Sequence, residues 1–243
     1  MYQEAINNYL NQHGHEKINL KAVLFDMDGV LFNSMPNHAS SWHKVMERMG
    51  FGLSEEEAYM HEGRTGADTI NIISRRERGC DATDEEIKAI YAAKSEEFNK
   101  CPEAPRMPGA WEVLNKIKDN GLTRMIVTGS GQVSLLDRLN KNFPGIFQKE
   151  LMVTAFDIKF GKPNPDPYLM ALEKGGLKPN EAIVIENAPL GVQAGVAAGI
   201  FTIAVNTGPL PDEVLWDAGA NLLFHSMPEF NEAWETLKKY LHS

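Results

Sequence analysis

The sequence predicts an α/β fold, a doubly wound and mostly parallel (Rossmann-like) sheet with an inserted helical-bundle domain, and three observations carry that reading. Short apolar runs alternate with helical stretches over residues 104–243, the pattern of a parallel sheet covered by helices on both faces. A strand of the doubly buried kind, Ala22-Val23-Leu24-Phe25, ends in Asp26-Met27-Asp28-Gly29. Residues 37–103, by contrast, show helical signals and no strand signal. The expected organisation is therefore a core of residues 1–36 and 104–243, interrupted by a helical domain of residues 37–103.

Each element has a local reason. Residues 4–12 have the spacing of a short amphipathic helix ended by Gly14, either packed on the core or extending from it. In the inserted segment, Ser54 with Glu57, Thr65 with Asp68, and Thr83 with Glu86 fit the spacing of helix N-caps. Ile70 and Ile73, then Ile87, Ile90, Tyr91, Ala92 and Phe98, fall near helical spacing, and the stretch reads as four helices. The proline-dense run Pro102 to Gly109 marks the return to the core, with Pro108 suited to the first turn of a helix that Gly121 closes. Strands are then expected at 122–127, 151–154, 182–186, 200–205 and 221–224, with helices from about 132, 167 and 190 and over 228–241.

Composition narrows the class. The chain has 243 residues, 43% of them hydrophobic and 23% charged, which is ordinary for a globular protein. A net charge of −9 argues against a nucleic-acid or anionic-membrane partner, which would require a basic face. No apolar run approaches a membrane span, and the first residues lack the apolar stretch of a signal peptide, so a cytoplasmic protein is expected. Cys80 and Cys101 are too few for a disulfide framework. A monomer is expected.

Candidate chemistry sits where strands end, because ligands of such sheets bind beyond the strands' carboxyl ends. Asp26 and Asp28, two apart, point the same way and would share one ligand; buried acids need a cation or a basic partner. The loop is not an EF-hand, since Val30, Leu31 and Asn37 stand where a polar ligand, glycine and glutamate are required. After the 122–127 strand, Thr128-Gly129-Ser130-Gly131 fits either an anion cradle at a helix N-terminus or a plain N-cap. Lys162 lies in Gly161-Lys162-Pro163-Asn164-Pro165-Asp166-Pro167, whose prolines stiffen the loop and point to a phosphate or carboxylate target; Asp166 and Pro167 also fit a helix start. Glu186 and Asn187 end the 182–186 strand, and nothing structural accounts for them.

In that order, D-x-D-G, T-G-S, K-P and E-N resemble the four motifs of the haloacid dehalogenase superfamily. F-D-M-D-G-V-L, G-K-P-x-P-x-P-Y, A-P-L-G-V-Q-A-G-V-A-A-G and the helical insertion after the first motif are similar to its β-phosphoglucomutase-like branch. The resemblance implies that the insertion is a cap and that Asp26 is a carboxylate nucleophile forming an aspartyl-phosphate. It also implies that Asp28 is the general acid and base, that Thr128 with the amides near Gly129 and Ser130 holds phosphoryl oxygens, and that Lys162 offsets negative charge. Mg2+ would be held by the Asp26 carboxylate, the Asp28 carbonyl and the Glu186-Asn187 pair.

Two departures stand out: Asn187 and Asn33 occupy places where the branch usually has aspartate. The cap loop His61-Glu62-Gly63-Arg64-Thr65-Gly66 is expected over the site, with Arg64 on a distal phosphate and Glu62 on metal or substrate. His38 is expected either to orient Asp28 or to be an ordinary helix residue. Glu62 together with Asn187 resembles a branch member that hydrolyses inorganic pyrophosphate, so a magnesium-dependent pyrophosphatase is the leading expectation. A β-phosphoglucomutase or small sugar-phosphate phosphatase is the alternative, and a phosphate-binding regulator without turnover is a third possibility.

Overall fold

The computed structural model describes residues 2–130 and 135–241. Gly131 and the helix start expected near residue 132 lie outside the described residues. In chain order the elements are α1 (Tyr2–His13), β1 (Ala22–Phe25), α2 (Met35–Arg48), α3 (Glu55–Met60), α4 (Gly66–Arg78), α5 (Asp84–Lys100) and α6 (Ala110–Asp119). There follow β2 (Thr123–Val127), α7 (Leu135–Asn142), β3 (Met152–Val153), α8 (Asp166–Gly175), β4 (Ala182–Glu186), α9 (Pro189–Ala197), β5 (Phe201–Val205), α10 (Asp212–Asp217), β6 (Leu222–Phe224) and α11 (Met227–Leu241).

The six strands form one parallel sheet in the order β3-β2-β1-β4-β5-β6. The strand order reverses at β1, which places β1 between β2 and β4 and makes its carboxyl end the topological switch point. Because side chains alternate along a strand, Val23 and Phe25 enter the core on one face, with α1, α6 and α11. Ala22 and Leu24 enter the other, with α8 and α9. The helix at the N-terminus packs rather than extends: Ile6 and Tyr9 are buried, and the Tyr9 hydroxyl donates to the Gly199 carbonyl at 2.9 Å.

Helices α2 to α5 enclose an apolar cluster of their own, built on Val45, Met46, Leu53, Ile70, Ile73, Ala82 and Ile90. The three expected caps form: Ser54, Thr65 and Thr83 accept from the amides of Glu57, Asp68 and Glu86, and Thr83 with Glu86 makes a full capping box. Two boundaries differ from expectation. Gly109, in a left-handed conformation, takes the N-cap of α6 in place of a helix beginning at Pro108, and α8 starts at Asp166 behind Pro165. Helix α10 has no counterpart in the sequence reading; at six residues with one buried side chain, Leu215, it leaves almost no periodicity to read.

Candidate active site

The register of the sheet assembles the first half of the site. Phe25 pairs with Ile126 on one side and Ile185 on the other, so the next residues along, Asp26, Val127 and Glu186, come to one edge. The loop after β3 brings Lys162 over that edge. Its ammonium donates to Asp26 Oδ1 at 2.5 Å, to Glu186 Oε1 at 2.6 Å and to the Val127 carbonyl at 3.1 Å, and the lysine is 2% exposed. Glu186 is fully committed to the protein. Its Oε1 also accepts from the Tyr168 hydroxyl at 2.8 Å, and its Oε2 accepts from the amides of Asn187 and Ala188.

Two buried carboxylates against one ammonium leave a net negative charge, which is costly without a further cation. The electrostatics follow. Burial pushes the Asp26 carboxyl up; Lys162 opposes this, while Glu186 and Asp28 reinforce it. Burial alone would lower the Lys162 ammonium, but Asp26 and Glu186 hold it above its ordinary range.

The second aspartate meets a different set. Beyond Asp28, Gly29 turns the chain at φ +81°, and a side chain there would collide with the Asn187 amide. Ser34 heads α2 without capping it, because its hydroxyl donates to Asp28 Oδ1 at 2.5 Å. His38 Nε2 lies 3.5 Å from the same oxygen, and Lys94, from α5, donates to His38 Nδ1 at 2.7 Å. An ammonium donating to Nδ1 keeps the ring proton on Nε2, facing Asp28.

Burial would raise the Asp28 carboxyl, but His38, Ser34 and the charge of Arg138 hold it below the usual carboxylate range. Burial and the neighbouring Lys94 lower His38 itself, so near neutrality the imidazole is largely uncharged. Even uncharged, the ring keeps its Nε2 proton towards Asp28, and the Ser34 hydrogen bond and the charge of Arg138 add to the stabilisation of the anion. Lys94 is 6% exposed and its ammonium sits 4.9 Å from the Phe98 ring centre and 5.5 Å from that of Trp42.

The loop at residues 61–66 lies over both aspartates. Asn187 Nδ2 donates to Glu62 Oε1 at 3.0 Å, and burial with the nearby Asp26 raises the Glu62 carboxyl well above its ordinary value. Between loop and sheet lies a cavity of about 100 Å³ lined by Asp26, Asp28, His38, Glu62, Arg64 and Thr128, with Gly129 and Ser130 at its wall. That is small beside the roughly 300–1,000 Å³ of pockets for drug-sized ligands. The Ser130 amide donates to Thr128 Oγ1 at 3.1 Å. Three buried polar atoms at this place have no hydrogen-bond partner among the described residues: Asn187 Oδ1, Arg64 Nε and His61 Nδ1. An oxygen acceptor without a donor is what a cation ligand looks like before the cation is counted, and an unpartnered guanidinium N–H suits an anion.

The candidate site residues from the sequence therefore meet at one place: Asp26, Asp28, His38, Glu62, Arg64, Thr128, Gly129, Ser130, Lys162, Glu186 and Asn187; Asn33 lies outside that cavity and lines a neighbouring one with Gly29 and Asn187. Four partners were not foreseen, and one of them, Arg138, acts on Asp28 by its charge. Lys94 carried a signal, a charge four residues from both Ile90 and Phe98 on the apolar stripe of its helix. Tyr168 closes the proline-rich motif, where its hydroxyl had no visible target. Ser34 had no signal beyond its place ahead of α2.

Comparison with known proteins agrees with the geometry. The family of haloacid dehalogenase-like hydrolases matches residues 23–205. Hexitol phosphatase A of Escherichia coli is 34% identical over 188 residues, covering 76% of this chain and 83% of that protein. The phosphorylated carbohydrates phosphatase of Thermotoga maritima is 29% identical over 203 residues, covering 83% and 92%. A solved structure from Bacteroides vulgatus, provisionally named a β-phosphoglucomutase, is 78% identical and superposes with a TM-score of 0.98 over 100% of this chain and 98% of that one. With four motifs gathered at the switch point of a parallel sheet and the family match spanning most of the chain, the protein belongs to the haloacid dehalogenase-like hydrolases, in their β-phosphoglucomutase-like branch.

Proposed function

We propose that the chain is a magnesium-dependent phosphohydrolase that acts on a small phosphorylated substrate through an aspartyl-phosphate on Asp26. The observation that carries this is the contact between Lys162 and Asp26, deep beneath a cavity that also presents Thr128 and Arg64. An Asp26 oxygen forms a bond to phosphorus as the bond to the leaving oxygen breaks, and Asp28, which rests as an anion and first takes a proton from the bound substrate or solvent, passes that proton to the leaving oxygen. Water then attacks the same phosphorus, gives its proton to Asp28, and releases phosphate with Asp26 restored. Thr128 and the amides beside it hold phosphoryl oxygens, and Lys162 offsets the charge that builds on Asp26.

The donor set fits a hard cation. The Asp26 carboxylate, the Asp28 carbonyl and the orphaned Asn187 Oδ1 would hold Mg2+, which neutralises charge on the substrate's oxygens. Glu186, with both oxygens engaged by the protein, is assigned to anchoring Lys162 instead of ligating metal. Residues 37–103 are read as a cap domain on a core of residues 1–36 and 104–243.

The relatives' names support a sugar or polyol phosphate as the substrate, and none of them is a pyrophosphatase. Inorganic pyrophosphate is kept as a second reading on two observations. Glu62 descends onto Asn187, and the space left between loop and sheet is only about 100 Å³. Asp28 is held as an anion at rest, which suits a phosphate leaving group, since it needs less protonation than an alkoxide.

Initial rates of phosphate release from pyrophosphate and a sugar-phosphate panel, with and without Mg2+, test both readings, beside a coupled assay for isomerisation of β-glucose 1-phosphate. Magnesium-dependent release from sugar or polyol phosphates, with pyrophosphate poor, establishes the first reading. Pyrophosphate favoured about a hundredfold, roughly 2.7 kcal/mol of transition-state discrimination, establishes the second. Asp26→Asn is expected to lower turnover by at least about a thousandfold on either substrate; a variant retaining it rules out the aspartyl-phosphate.

A further inference from the structure

The loop at residues 61–66 meets the core on glycines. An added methyl at Gly161 would stand 2.9 Å from Thr65 Cγ2 and 3.3 Å from the Thr65 backbone nitrogen. At Gly129 it would stand 3.3 Å from the Gly63 carbonyl oxygen. The fit is mutual: Gly63, at φ +88°, would bring a side chain within 3.1 Å of Lys162 Cδ. On the far side of the same cap, Tyr59 packs over Gly208, with a methyl there 3.4 Å from its ring. Gly129 and Gly161 are not among the glycines with positive φ, so their backbones would accept alanine without strain. What glycine supplies at these two positions is space.

We infer that Gly129 and Gly161 are specificity-determining seats: they set how far the 61–66 loop descends, and so how large a phosphorylated substrate the seated cavity admits. The inference rests on the proposed phosphohydrolase activity for its consequence, though not for its geometry. With both seats empty of side chains, Glu62 reaches Asn187 and the space above Asp26 is about 100 Å³. At each seat the contact at 3.3 Å is with loop backbone, which cannot yield by rotating a side chain, and at Gly161 the Thr65 methyl adds a closer one, so a methyl at either seat displaces the loop outward by a few tenths of an ångström. A lifted loop withdraws Glu62 and Arg64 from a short substrate while leaving room for a longer one. The chemical class favoured by the native seats is therefore a compact phosphate, inorganic diphosphate or a short polyol phosphate, over a hexose phosphate.

The decisive variant is Gly161→Ala, read alone and with Thr65→Ser. Serine keeps the hydroxyl that caps α4 and removes the methyl that the new side chain meets. Gly52→Ala, whose new methyl would meet only Glu77 Oε1 at 3.6 Å, serves as the control. Kcat/KM is measured with the smallest active substrate and with a hexose phosphate, and hydrogen exchange of residues 61–66 is followed with Mg2+ and inorganic phosphate added. Gly161→Ala is expected to lower kcat/KM for the small substrate tenfold or more and change the hexose phosphate less than threefold. It should also abolish the added exchange protection, and Thr65→Ser should restore both.

Equal losses on both substrates without rescue by Thr65→Ser would mean that the change acts through the adjacent Lys162, and would overturn the inference. Unaltered protection of residues 61–66 in Gly161→Ala would overturn it as well. A wild-type chain without phosphate release on any substrate would defeat the proposed function instead, and the exchange experiment with its rescue still decides whether the seats position the loop.

Discussion

Two lysines reach two neighbouring aspartates by opposite means. Lys162 touches Asp26 directly, and every partner of its ammonium comes from the loops and strand ends of the parallel sheet. Lys94 reaches Asp28 only through His38, and both it and the imidazole ride on helices of the inserted segment. The first assembly is a property of the sheet and stands wherever the inserted helices sit. The second holds only while α2 and α5 keep their places over β1. What the pair teaches is a division of labour between adjacent acids: a fixed charge partner for the one expected to attack, and a partner that depends on the inserted helices for the one expected to move protons.

The largest effect that would break this contrast is at the fixed end. Lys162→Met leaves Asp26 and Glu186 buried without their ammonium. The expected costs are about 3 kcal/mol or more of stability and a fall in turnover of at least about a hundredfold. Denaturant unfolding and phosphate release check the two separately. Unchanged stability would show that the trio is not held as a buried ion pair.

Lys94→Met tests the other end and should behave in the reverse sense. Burial lowers the Lys94 pKa from 10.5 to about 8 in the folded protein. Between those values the unfolded chain binds a proton that the folded one does not, so folding is penalised below pH 8 and the penalty is relieved as pH rises towards 10.5. The Phe98 and Trp42 rings favour the charged form and reduce the penalty. The variant is therefore expected to gain about 1–2 kcal/mol at pH 7, with the gain shrinking above pH 8, while turnover falls tenfold or more because His38 loses the donor that fixes its tautomer. Urea midpoints at pH 7 and pH 10, beside kcat, measure this. A variant destabilised at pH 7 would place Lys94 with Lys162 and remove the distinction.

The smallest effect sharpens the fixed assembly. Tyr168→Phe deletes one hydroxyl from Glu186 and leaves Lys162 in place. It should cost about 1 kcal/mol of stability and lower kcat a few-fold with KM unchanged. A KM effect as large as the kcat effect would mean that Tyr168 reaches the substrate side of the site.

How much of this was legible follows from how each contact is made. The strand ends were readable because a parallel strand buried on both faces is a continuous apolar run, and Asp26, Thr128 and Glu186 each follow such a run directly. The caps at Ser54, Thr65 and Thr83 were readable because a cap is a contact over three residues. Helix α10 and the N-cap at Gly109 were not, since the first is too short to have a period and the second depends on the chain packing against the backbone of Met227 and Pro228.

By itself the sequence determined the alternation of elements, the insertion after β1, and which acids, hydroxyl and lysine stand at the ends of strands. These depend on local periodicity and on the fixed geometry of a parallel sheet. Only the tertiary structure decided what those residues meet. Lys162 and Asp26 are 136 positions apart, Asn187 and Glu62 are 125 apart, and Lys94 and His38 are 56 apart. Such contacts are set by where aperiodic loops come to rest and by the room that Gly63, Gly129 and Gly161 leave between them. Steric fit of that kind belongs to surfaces brought together by folding, and no spacing along the chain encodes it.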